Sequence, residues 1–463
     1  MTNDKRGTSD QVNRRNVLKG LSVTGLGSIA GCTGGGASVG QETTTTVEGD
    51  WPDLSGQEVH FLVDETSDAF RNFFSNVGSD FQAATGATVR MEYQATGGSA
   101  EERLAQLLQS GDPPEVLLSS VSQSALFAVR GIAAPVNEAF QAATDRYGEP
   151  RQRMQYQGDE YMMPFGSNIG MFWYRTDLYD EAPTTWESLL QGAQNVQENT
   201  DLNGTALLGG TSFCTELQLM SFAYSAGANV AENNDGDINV IMAEGSNRDR
   251  WIQTLSYLQD LKSFSGGNED IGCEGSTVLA NENSAHAWWV GSRPKNQCVV
   301  QDRPFAGDVA AVQQPGPGTE GALTCGLTDG LITFQDADVE AAQTYMEFFA
   351  QPKYFTQIMA ITPIHIIPPF PGIFELPAVQ QQLNELPDVW TDHDIQTMKN
   401  ATENYTTLAD ETDPPNPYSG AIYGSNILSD IMYDATINQR DPAAIVDEYA
   451  PQIQNVVDQA QQG

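Results

Sequence analysis

The sequence predicts an α/β protein of two lobes. Short apolar or alternating runs that suit strands take turns with amphipathic stretches that suit helices. About 430 residues follow an N-terminal leader, more than one ordinary core accommodates. The chain is also 40% hydrophobic, with aromatic residues spread along it, which favours a packed interior over the disorder that high charge alone would suggest.

The leader comes first. Arg14-Arg15 precede an apolar, Gly-spaced run over residues 18–30 that ends in Ile29-Ala30-Gly31-Cys32. That run is shorter than the roughly 17–25 residues of a bilayer-spanning helix, so it suits the core of an export signal. The paired arginines resemble a twin-arginine signal. The small residues before Cys32 resemble a lipobox, which implies removal of residues 1–31 and a lipid on Cys32. Residues 32–50, rich in Gly and Thr, read as a flexible tether. Within them, Gly36-Ala37-Ser38-Val39-Gly40 spells the serine-hydrolase elbow without the strand and helix that the elbow needs on either side.

Val59-His60-Phe61-Leu62-Val63 reads as a buried strand. Ser67 or Asp68 can cap a helix over 69–84, and Gly86 stops it. Residues 87–93 alternate like a second strand. Gly97-Gly98-Ser99 opens a helix over 100–109, with Glu101 and Glu102 in the first turn, where the helix dipole favours acids. Asp112-Pro113-Pro114 breaks the chain before a third strand over 115–118. This order predicts a parallel sheet with right-handed crossovers. Farther on, 161–165, 170–175, 204–209, 285–290 and 330–334 carry strand signals, and 216–226, 249–264, 338–349 and 442–460 read as helices.

Formal charge is −39, and about −42 once residues 1–31 are removed, with only Lys262, Lys295, Lys353 and Lys399 left as lysines. So many carboxylates repel one another in dilute buffer, whereas molar salt shortens the Debye length to about 3 Å and screens them. The balance resembles proteins of salt-loving archaea, and it excludes nucleic acid and anionic membrane surfaces as partners. Cys214, Cys273, Cys298 and Cys325 form an even set in an exported chain, which permits up to two disulfides whose pairing stays open. A zinc site is the rival, but no CxxC occurs and His286 is the only histidine among them; no metal and no cofactor is expected. Three glycosylation sequons begin at Asn203, Asn400 and Asn404.

The order of landmarks resembles the extracellular solute-binding proteins of ABC importers, in the maltose-binding-like group. The resemblance rests on Gly111-Asp112-Pro113-Pro114-Glu115-Val116, on Tyr161 and Pro164, on Tyr174-Arg175-Thr176-Asp177-Leu178, and on Pro183-Thr184-Thr185-Trp186-Glu187-Ser188-Leu189. A strand ending in glycine at 285–291, a strand and helix over 330–349, and Ile361-Thr362-Pro363-Ile364 complete it. Arg175 stands where the group usually has Asn. The resemblance implies a periplasmic-binding-protein-like fold with hinge crossings near 163–167, 315–327 and 361, and an interlobe ligand cleft. Residues 51–164 and 326–360 would form lobe I; 165–325 and 361–463 would form lobe II. A monomeric chain would hold a small molecule, a mono- or oligosaccharide, and pass it intact to permease subunits.

The same resemblance nominates ligand contacts. In lobe I these are Glu65, after the opening strand; Ser99, at a helix start where N-capping is the competing role; and Ser119 and Ser122, after the third strand. In lobe II they are Asn168, Phe213, Glu216, Trp289, Arg293 and Tyr423. Carboxylates and amides suit sugar hydroxyls, and aromatic rings suit sugar faces. Trp288 and Trp289 alternate on one strand, so core packing competes with stacking for both. Arg293 falls where the group often has Trp, which allows an anionic ligand. Receptors for a polyamine, iron or a phosphorylated polyol are alternatives, but no Tyr-Tyr pair supports iron and Arg293 alone supports phosphate thinly. A secreted glycosidase with paired carboxylates is the remaining rival. Among 61 acids any such pair is uninformative, and HExxH is absent.

Overall fold

The computed structural model describes residues 49–462, apart from 66, 95–97, 235, 267–269 and 319–320 and the side chains of 98, 99 and 101. The leader, the lipobox with Cys32 and nearly all of the tether lie outside the described residues.

The chain runs through β1 (Glu58–Val63), α1 (Asp68–Thr85), β2 (Thr88–Tyr93), α2 (Gly98–Ser110), β3 (Val116–Ser120) and α3 (Val121–Val129). A short β4 (Ala133–Ala134), α4 (Asn137–Tyr147) and the hairpin β5 (Gln155–Tyr156)–β6 (Asp159–Glu160) lead to the long β7 (Met163–Arg175). Next come α5 (Trp186–Asn199), α6 (Phe213–Ser225), the hairpin β8 (Ala231–Asn234)–β9 (Asp237–Val240), α7 (Gly245–Lys262), β10 (His286–Val290), α8 (Arg293–Val300) and β11 (Val309–Val312). The second long strand, β12 (Thr324–Phe334), precedes α9 (Val339–Phe349), α10 (Pro352–Ile361), α11 (Pro377–Asn384), α12 (Asp392–Ala401) and β13 (Tyr405–Thr406). The chain closes with α13 (Ser419–Gly424), α14 (Ile427–Thr436) and α15 (Pro442–Gln462).

Local chemistry explains many of these boundaries. Gly86 ends α1 in the left-handed region, with φ 80° and its N–H on Gln82 O. Ser67 does sit at the start of that helix, but its side chain makes no capping bond. Capping boxes open α5 (Thr185 with Ser188) and α12 (Thr391 with Asp394), each satisfying backbone donors that the first turn leaves orphaned. The two apolar runs at 161–165 and 170–175 are one strand. All thirteen residues of β7 are buried, so it has no exposed face to produce alternation. The strand signal at 204–209 belongs to an irregular segment tied by a single bridge, Asn203 to Ser284.

One curled sheet runs in the order β10-β7-β12-β3-β1-β2, with β11 on β7 and β4 and β13 on β12. β1 pairs in parallel with β2 and β3, as the strand–helix alternation requires. The parallel run ends at β3, since β12, β7, β10 and β11 join antiparallel. β7 and β12 serve both lobes. In β12, residues 329–332 pair with β3 of lobe I while 326–331 pair with β7; the far half of β7 pairs with β10 and β11 of lobe II. A third segment joins them where Ser167 and Ile367 exchange backbone hydrogen bonds of 2.8 and 2.9 Å. On the same side, Ser167, Thr328 and Tyr405 share hydroxyl contacts of 2.9–3.1 Å, and Thr328 also donates to Gln152.

Lobe I sandwiches its sheet. Phe61, Phe74, Phe81, Tyr345 and Phe349 pack under α1 and α9, and Leu62, Leu104, Leu117 and Ile332 pack under α2 and α3. Lobe II gathers α5, α6, α7, α14 and α15 around Phe172, Trp186, Phe222 and Trp251. The lobes touch where α13 packs on α3 and Arg130 Nη2 donates to Ala460 O at 3.1 Å, and residues 371–384 pack on α4 and α10.

Two buried links hold lobe II together. Lys295 and Asp394, both fully buried, meet at 2.6 Å; Lys295 also donates to Val309 O, and Asp394 accepts from Ala311 N. Cys214 and Cys273 form the disulfide, with Cα atoms 5.2 Å apart. The permitted second disulfide does not form. Cys298 and Cys325 are buried free thiols in different cores, one against Pro294 O in its own helix and the other beside Tyr423 Oη. No described helix is long and apolar enough to cross a membrane.

Candidate ligand cleft

Three chain segments meet at one end of the sheet. β1 and β3, being parallel, deliver Asp64-Glu65 and Ser119-Ser120 to the same end, and antiparallel β12 passes it at Asp329. Open α/β sheets bind ligands beyond the carboxyl ends of such strands. Asp329 pairs with Ser120 on one side and Gly166 on the other, so the side chains of Ser120 and Asp329 rise from the same face. Two residues beyond Gly166, Asn168 continues that face toward lobe II. It is 4% exposed, and its Oδ1 has no hydrogen-bond partner.

Asp329 was not anticipated, and its carboxyl is strongly perturbed. Burial, then the nearby Asp64 and Glu65 carboxylates, push it up to about 8. Its side chain is half-buried. Its signal in the sequence is a lone acid inside Gly330-Leu331-Ile332 and the apolar strand around it, easily lost among 61 acids. Glu65 is 3% exposed and accepts the Ser67 N–H at 2.8 Å, so it both shapes the loop and faces Asp329.

The serines divide. Ser119 is buried and bonded to Gln123 and Ser124, while Ser120 caps α3 through Gln123 N. Ser122 lies half-buried on the first turn of α3, and Ser99 lies in the first turn of α2, with its side chain outside the described residues.

In lobe II, Ser212 caps α6 and turns Phe213 outward, half-buried. Tyr423 stands edge-on behind it, with ring centroids 5.0 Å apart at 75°, and its hydroxyl lies 3.7 Å from Cys325 Sγ. Phe213 is therefore the ring that faces outward and Tyr423, 5% exposed, its support. Cys325 precedes Asp329 by four residues on β12, about 13 Å at the usual strand rise. Leu327, between those two on β12, pairs with Asn168.

Three nominated residues turn elsewhere. Glu216 is fully buried in the seam between α6 and α14, where burial pushes its carboxyl well above the usual range. Ser429 is its nearest polar neighbour, but that hydroxyl is spent on Ser212 and neither carboxyl oxygen has a well-formed bond. Trp289 pairs with Met171, so strand alternation points it away from the Asn168 face and against Gly275. Trp288 shares the Asn168 face but is 1% exposed and fills the space over Gly170. Arg293 follows β10 at the hinge and donates to His365 Nε2 at 3.1 Å. Burial and that guanidinium hold His365 well below its usual range, hence neutral and able to accept. Among the described residues no group of His, Cys, Asp and Glu has metal-site geometry.

A two-lobed α/β fold that gathers acids at the carboxyl ends of its parallel strands suits a solute-binding protein. Residues 76–387 match the bacterial extracellular solute-binding protein family, and the chain belongs to it. Solved structures with the same fold include the GacH receptor of Streptomyces glaucescens, solved unliganded and with acarbose (TM-score 0.69, 15% identity, covering 88% of this chain and 99% of that one). MalE from Xanthomonas citri, a sugar-binding protein, reaches TM-score 0.70 at 15% identity over 88% and 98% of the two chains. An ABC-transporter solute-binding protein from Thermotoga lettingae, bound with α-D-tagatose, gives 0.69 at 15% identity over 87% and 100%. The family is one of extracellular binding proteins, so this chain is exported and faces outward.

Proposed function

We propose that the protein captures a mono- or oligosaccharide in the cleft between its lobes and delivers it unchanged to ABC permease subunits, tethered to the outer membrane face by lipid on Cys32. What supports this reading is the polar set that strand register gathers at one end of the sheet, Ser120, Asp329 and Asn168 on one face with Glu65 acting on Asp329, together with the half-buried Phe213 ring of lobe II. The sugars in the T. lettingae and S. glaucescens structures support the same ligand class. β7, β12 and the 364–367 segment would act as the hinge.

Thermal melts in high salt against a panel of sugars test this. A solute present at 100 times its dissociation constant stabilises the fold by about 2.7 kcal/mol. A rise in melting temperature with a subset of sugars is expected. If only metal ions or phosphorylated polyols shifted it, the sugar assignment would fall.

A further inference from the structure

We propose that the solute carries a protonated amine, and that this group seats on Asp329 between Asp64 and Glu65. The proposal rests on the reading of the cleft as the solute site and adds the chemistry of one end of it.

β12 is an interior strand, paired on both sides at Asp329, so its side chain can only stand up from the sheet face. Interior strands normally present apolar groups there, as Leu331 does two residues on at 0% exposure. Asp329 makes no side-chain hydrogen bond among the described residues, and the charged groups that act on it are Asp64 and Glu65, from the end of β1. Neither β3 nor β7 brings a base to it; its strand partners there are Ser120 and Gly166. A second observation comes from another strand: Asn168 Oδ1, 4% exposed and unpartnered, lies on the same face. Asn168 Oδ1 awaits a donor, and Asp329 keeps a proton because Asp64 and Glu65 lie close to it. A neutral hydroxyl adds no charge there, whereas an ammonium can take that proton's place, supplying donors and offsetting the negative charge. The same chemistry serves an amino sugar or an aliphatic polyamine.

The test is calorimetric titration of the exported chain in high salt with matched probes: glucose and glucosamine, galactose and galactosamine, then putrescine and spermidine. The expected result is binding by an amine and at least tenfold weaker binding by its neutral counterpart. Asp329→Asn should erase most of that preference, and its unliganded melt near pH 5, where the wild-type Asp329 already holds a proton, checks that the variant folds. Binding by the amino sugars identifies the source as a sugar, and binding by putrescine or spermidine alone identifies a polyamine. A tightest ligand that is neutral and indifferent to Asp329→Asn overturns the proposal but leaves the solute-binding reading standing. Failure of every amine to bind also overturns it.

Discussion

Asp329 sets the pH behaviour expected of the ligand-free protein. Its ordinary value is 3.8 and its folded value about 8, so between these limits the folded chain holds a proton that the unfolded chain has released. Stability from this group is therefore greatest in acid and declines as pH rises through about 8. Glu92 acts oppositely. The Arg103 guanidinium holds it at about 2, so its contribution is present above its ordinary 4.5 and is lost as pH falls through 2. Melting temperature should accordingly rise from about pH 8 to about pH 5 and fall in stronger acid. Burial also pushes Glu411 up to about 8 and Asp410 up to about 6, with the same sign, so Asp329→Asn should make the first limb shallower without abolishing it; if the wild-type and variant limbs coincided, the contribution assigned to Asp329 would be wrong. At the same scale, one sequon is closed. Asn203 Nδ2 is engaged by the carbonyls of Gly266 and Asn283 at 3.1 and 2.9 Å.

Between elements, the disulfide and the buried ion pair do different work. Cys214 opens α6 one residue after Phe213, and Cys273 ties it to a segment that also bonds Gly210 N through Ile271 O. Replacing Cys273 with Ser should cost about 2–4 kcal/mol and weaken solute binding, because the start of α6 loses its anchor. A variant with lower melting temperature but unchanged affinity would make the link purely structural. Lys295→Met should cost about 3–5 kcal/mol by stranding Asp394, and an apolar double replacement should stay destabilised because Asp394 also accepts from Ala311 N and caps α12; chemical denaturation of the two variants checks this. Much at this scale was legible in the sequence. β1, α1, β2, α2 and β3 follow from strand and helix periods, with Gly86 as a stop. What the sequence hid depended on pairing in space. β7 looked like two runs because every residue is buried, and β12 carries Asp329 to the cleft only through its register with β3 and β7. Likewise the Phe213–Tyr423 pair assigns the outward ring to Phe213, which spacing along the chain could not do.

For the whole molecule, charge and hinge decide behaviour. At −39 for the full sequence, self-repulsion should destabilise the fold in dilute buffer, and molar salt should restore it. A melting temperature independent of salt would remove screening from the account. The lobes are joined through β7, β12 and the Ile367 segment and also meet at α3–α13 and Arg130–Ala460, so capture should change their separation. Small-angle X-ray scattering in high salt, with and without a solute that raises the melting temperature, tests the central claim most directly. The account predicts a smaller radius of gyration on saturation, approaching that of the structure described here. Superimposable curves at saturating solute would contradict a hinged trap.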